Sequence, residues 1–221
     1  MAQLPTCIAL VSGGIDSPVA VARMVRSGWN IIPVHYSQEP ITGSEAEDKT
    51  VASLVHLVNT IDHSNQIDPN LRVVLVGETL AKFTEPTSHR DYFVHMKRLF
   101  NAIANEIADE VGATAILTGE NLGQVSSQTL GNLGAVEEAS RFRILRPLLG
   151  LDKQEIIDEA RKIGTYEIST GPELCDSLGP ERPTTVADLS RLRENENVQG
   201  GLKQLAQTCL NSLRIRSLST E

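Results

Sequence analysis

Short apolar runs rich in β-branched residues recur along the chain, and stretches with helical periodicity separate them. The runs fall at 7–11 (CIALV), 31–36 (IIPVHY), 72–76 (RVVLV) and 115–118 (AILT), with a weaker fifth at 143–145. They lack the in-and-out alternation of half-exposed strands, as expected for strands covered on both faces. Between them, residues 18–26, 45–61 and 92–111 repeat apolar positions at helical spacing. Asp152 and Glu155 form a D-x-x-E start for a further helix, and Gly164 ends it just after Lys162. Repeated β-α units with right-handed crossovers predict an α/β domain with a doubly wound, mostly parallel five-stranded sheet flanked by helices. Residues 1–185 supply this domain. From 186 to 221 too few apolar residues remain for a separate core, so that part is expected to be a C-terminal helical extension of it.

Composition narrows the function classes. No apolar run approaches the roughly 20 residues that cross a bilayer, and no charged-then-apolar leader is present, so a cytoplasmic protein without membrane contact is expected. The three cysteines, at 7, 175 and 209, form no C-x-x-C pair and rule out a disulfide scaffold; no metal-ligand set is assigned. Lys and Arg total 20 against 28 for Asp and Glu, a formal charge of −8. A protein that grips nucleic acid by neutralising phosphates shows the opposite excess, so any RNA contact must come from a local patch or a partner.

In open α/β sheets ligands bind beyond the carboxyl ends of the strands. The first such loop is Ser12-Gly13-Gly14-Ile15-Asp16-Ser17-Pro18. Two glycines allow a tight turn with uncovered amides, and Ser17-Pro18 suits a helix start, with a hydroxyl near the N-cap. A helix entered this way offers free N–H donors to an anion. Neither a Walker A loop nor a G-x-G-x-x-G fingerprint is present. Gly13-Gly14 alone would equally serve a plain strand-to-helix turn.

The heptad resembles the S-G-G-x-D-S signature of the PP-loop ATPases, whose fold is adenine nucleotide α-hydrolase-like. That resemblance implies ATP cleavage between the α- and β-phosphates, with Asp16 assisting through Mg2+ or the geometry of the loop. Three further segments narrow it: 118–130 (TGENLGQVSSQTL), 146–157 (RPLLGLDKQEII) and 163–169 (IGTYEIS), with Cys175 six residues later. Together they resemble the sulfurtransferase family that makes 4-thiouridine in tRNA and is also named for thiamine biosynthesis, over about residues 7 to 185.

This resemblance implies adenylation of a tRNA uridine with release of pyrophosphate, then sulfur insertion from a cysteine persulfide. Cys175 is the implied persulfide carrier; a small buried cysteine is the alternative. The implied nucleotide contacts are Leu10, Val11, Ser12, Gly13, Gly14, Asp16, Ser17, His35, Tyr36, Lys97, Gly119 and Gln128, with the backbone of His35 and Tyr36 facing adenine. An Arg-Arg pair of the family stands here as Lys97-Arg98, which trades a guanidinium fork for a point charge. Arg141, Arg143 and Arg146 are a second candidate for the RNA or phosphate side, against a plain solvated strand edge. Cys7 is expected to pack in the core; for Cys209 a disulfide with Cys175 is left open.

The family's RNA-binding THUMP region and its rhodanese module have no counterpart in these 221 residues. The expected partners are therefore tRNA held by a separate THUMP-type polypeptide and a sulfur donor such as a cysteine desulfurase; a homodimer is compatible with the sequence. The alternatives are a stand-alone ATP pyrophosphatase that adenylates a small molecule, and a nucleotide-binding subunit of a larger complex.

Overall fold

The computed structural model describes residues 3–171 and 177–219. Six strands, β1 (Thr6–Leu10), β2 (Asn30–Ser37), β3 (Asn70–Leu75), β4 (Ala115–Leu117), β5 (Arg143–Leu145) and β6 (Arg214–Ser217), form one sheet in the order β5-β4-β1-β2-β3-β6. The first five run parallel, with Cys7 opposite Ile31 on one side and Ala115 on the other. β6 pairs antiparallel with β3, Leu71 opposite Arg216, and adds an edge strand that R-I-R-S did not announce. The helices are α1 (Asp16–Arg26), α2 (Glu45–Thr60), α3 (Gly77–Ala81), α4 (Tyr92–Val111), α5 (Leu130–Glu137), α6 (Lys153–Lys162), α7 (Tyr166–Ser169), α8 (Leu189–Val198) and α9 (Leu202–Leu210). None of them is long and apolar enough to cross a membrane.

The pleat of β1 explains why its residues are uniformly apolar. Cys7 and Ala9 point into a core built with α1, α2 and α6, whereas Ile8 points into a second core with α4 and α9. Covering both faces is what permits an all-parallel central sheet. α6 starts on the expected capping box: the Asp152 side chain accepts from the Glu155 amide, and Glu155 reciprocates. The chain leaves β1 for β2 and β3 on one side, then returns to β4 on the other. That reversal opens a crevice beyond the carboxyl end of β1.

The start of α1 differs from the expectation. The helix begins at Asp16, and Ile15 rather than a hydroxyl residue occupies the N-cap. The Ser17 hydroxyl turns back instead, accepting from the Ser12 amide at 2.9 Å and donating to the Ser12 carbonyl at 3.1 Å. Pro18 is harmless two positions later than expected, because none of the first-turn N–H groups has an intrahelical acceptor. The loop is thereby closed on itself through Ser12 and Ser17.

Candidate functional site

A cavity of about 240 Å³ lies at the crevice. Leu10, Val11, Ser12, Asp16 and Ser17 reach it from β1 and the loop, His35 and Tyr36 from β2, Lys97 from α4, and Gly119 and Gln128 from the segment after β4. Residues spread over more than a hundred positions of sequence thus line one space. Gly13 and Gly14 are not among its walls; Gly13 backs onto α2, where an added Cβ would lie 2.8 Å from the Ala46 carbonyl oxygen. Gly119 admits no side chain either, since its Cβ would fall 2.9 Å from the Ser17 amide nitrogen. The segment after β4 therefore presses directly on the first turn of α1.

One wall is apolar and aromatic. Tyr36 stacks on Phe100 at 4.3 Å between ring centroids, and its hydroxyl donates to the Phe100 carbonyl at 2.8 Å. Burial holds that phenol in its neutral form by pushing its pKa well up. His35 is buried behind the same wall. Its Nδ1 lies 2.9 Å from the Val11 carbonyl and 3.1 Å from Thr50 Oγ1. Thr50 already donates to the Ala46 carbonyl at 2.8 Å, so it accepts from His35, and the hydrogen belongs on Nδ1. Burial lowers the imidazole pKa, which leaves Nε2 a neutral acceptor with no hydrogen-bond partner among the described residues.

Another part of the lining carries a carboxylate, Glu120, that sequence reasoning did not assign. Glu120 is 5% exposed and accepts from Lys97 at 2.8 Å, Arg146 Nε at 2.8 Å and the Thr118 hydroxyl at 3.2 Å. Burial pushes its carboxyl upward, but Lys97 and Arg146 outweigh that effect and hold it at about 2. Arg146 also binds Glu137, at 2.7 Å. Asp16, at the loop end, is paired with Lys153 at 2.6 Å from the first turn of α6. Lys153 and Glu120 stand inside the motifs at 146–157 and 118–130, but only the fold shows what each one touches.

Other candidates separate from this site. Arg98 points away from its neighbour Lys97 and is 2% exposed, held by Glu196 at 2.6 Å and Glu138 at 2.8 Å. Arg141 is paired with Glu106 and Asp109 on α4, and Arg143 is exposed on the edge strand β5. Cys7 is fully buried, and burial pushes its thiol up to about 12, which makes it a packing residue. Cys209 is also buried, with its thiol against the Thr79 hydroxyl at 3.3 Å. Cys175 lies outside the described residues.

A glycine loop behind a pocket at the reversal of a doubly wound sheet defines a PP-loop domain of the adenine nucleotide α-hydrolase-like kind. The chain belongs to the family described as Thiamine biosynthesis protein (ThiI), which matches residues 4–199. A protein of Thermus thermophilus named "Probable tRNA sulfurtransferase" is 40% identical over 195 residues, 86% of this chain and 46% of that protein. One of the same name in Acetivibrio thermocellus is 36% identical over 192 residues, covering 86% and 48% respectively. A crystal structure described as a 4-thiouridine synthetase–RNA complex with bound ATP superposes with a TM-score of 0.88 at 32% identity, over 97% of this chain and 55% of that one. The chain spans about half the length of the curated relatives it matches.

Proposed function

We propose that the cavity binds ATP and that the protein adenylates a tRNA uridine, releasing pyrophosphate, before the outer sulfur of a persulfide on Cys175 displaces AMP and a donor thiol cleaves the remaining S–S bond. The observation that carries this reading is the meeting of the 12–17 loop, the carboxyl ends of β1 and β2 and Gly119 around one cavity, in a chain 32% identical to a synthetase crystallised with RNA and ATP. The residues suit the ligand. Gly119 leaves room for close backbone approach at the α1 N-terminus, and the orphaned Nε2 of His35 supports a polar partner near the base end.

Activation is chemically required because a carbonyl oxygen leaves poorly, whereas AMP leaves well. Loop amides and the α1 N-terminus stabilise negative charge as pyrophosphate departs. Asp16, which lines the cavity, is the carboxylate that would hold Mg2+, a hard cation that prefers oxygen ligands and would neutralise phosphate charge. Lys153, paired with Asp16, would be free to turn its ammonium toward a phosphate if Asp16 held a metal ion. Lys97 supplies a second cation, aimed into the cavity by Glu120.

The formal charge of −8 supports a division of labour in which a THUMP-type polypeptide grips the tRNA and a cysteine desulfurase loads the sulfur. The test is thionucleoside analysis of tRNA from cells lacking the gene, complemented with wild type or Asp16→Ala. Loss of 4-thiouridine restored only by wild type supports the proposal. Normal 4-thiouridine in the deletion would refute it and shift the reading to a small-molecule acceptor.

A further inference from the structure

Glu47 sits in the first turn of α2 and is only 2% exposed. A carboxylate that deep requires compensating cations. Both come from β6: Arg214 Nη2 binds Oε2, and Arg216 Nη1 donates to Oε1 at 2.8 Å and to Asp48 at 3.0 Å. These arginines lie beyond residue 199, where the family match ends.

The helix they hold is the one behind the glycine loop. Ala46, beside Glu47, presents its carbonyl to Gly13, and Lys49 Cβ would stand 3.1 Å from a Cβ built there. One turn further, Thr50 is hydrogen-bonded to His35, and His35 to the carbonyl of Val11, the residue before Ser12. Contacts therefore run without a gap from β6 through α2 to both sides of the start of the loop.

We propose that Arg214 and Arg216 are positioning residues for the nucleotide loop: through Glu47 they fix α2, and α2 fixes Gly13 and Val11. This inference rests on the reading of the cavity as an ATP site. A tail that only pinned the sheet edge would have no need of two guanidinium groups converging on one buried carboxylate that lies next to the loop's backing residue.

The test measures ATP and adenosine affinities of wild type, Arg216→Ala, Glu47→Gln and Arg216→Lys, with urea unfolding in parallel. Displacing the phosphate cradle should weaken ATP about tenfold in Arg216→Ala and Glu47→Gln, while adenosine, which meets α2 only through His35, weakens by no more than about threefold. Arg216→Lys keeps a cation in place and should recover most of the ATP affinity. If Arg216→Ala does not fold, Glu47→Gln, which removes the buried charge at nearly constant volume, carries the test. Folded variants that bind ATP as wild type does, or that lose ATP and adenosine equally, overturn the proposal alone. Wild type with no affinity for ATP overturns the cavity reading and this proposal together.

Discussion

Replacing Glu120 with Gln probes the charged wall of the cavity. The carboxylate sits at about 2 against an ordinary 4.5, although burial by itself would raise it. Linkage turns that difference into about 3 kcal/mol of stability at neutral pH. The sign follows from the depression: the contribution is complete above the unfolded value of 4.5 and is lost as pH falls toward 2. Glu120→Gln removes it and leaves the half-buried Lys97 and Arg146 facing a neutral amide. Urea unfolding should therefore place the variant about 3 kcal/mol below wild type at pH 7, within the range for breaking a buried ion pair. The gap should stay constant down to pH 4.5 and close below it. A variant as stable as wild type at pH 7, or a gap indifferent to acid, would refute the reasoning.

Asp16→Ala should abolish pyrophosphate release but shift the unfolding free energy by no more than about 0.5 kcal/mol, because a loop-end carboxylate adds little to a core; pyrophosphate made at the wild-type rate would count against its role. Gly119→Ala must push a methyl against the Ser17 amide, so a cost of about 1–3 kcal/mol is expected, together with weaker ATP binding in calorimetry. ATP affinity equal to wild type would show that the contact between the segment after β4 and α1 does not shape the pocket. Cys175→Ala should keep ATP-dependent adenylation and lose thiolation, read as 4-thiouridine in tRNA digests. Equal thiolation in mutant and wild type would remove that cysteine from the chemistry.

Much of the scaffold is legible in the sequence because the central strands are buried on both faces. A strand such as β1, with Cys7, Ile8 and Ala9 all inaccessible, has no polar side and reads as an unbroken apolar run. The capping box at Asp152 is likewise a local signal that local geometry honours. β6 is the counter-example: Ile215 is flanked by two arginines, and the strand exists through pairing with β3 and the grip on Glu47, neither of which is local. The same divide runs through the site. The glycine loop announces itself within seven residues, whereas the Lys97–Glu120–Arg146 cluster is assembled from α4 and the ends of β4 and β5. Lys153 is equally remote from Asp16 in sequence, by 137 positions, and meets it only through the packing of α6 on α1. Ser17 shows the limit of local rules. Its hydroxyl has the composition of a cap and serves to lock the loop to Ser12.

Adenylation is decided by where the triphosphate is cut. Phosphorus NMR of ATP incubated with the protein, Mg2+, tRNA and a persulfide donor reads this directly. AMP and pyrophosphate appearing in equal amounts are the predicted products; ADP with orthophosphate would contradict it.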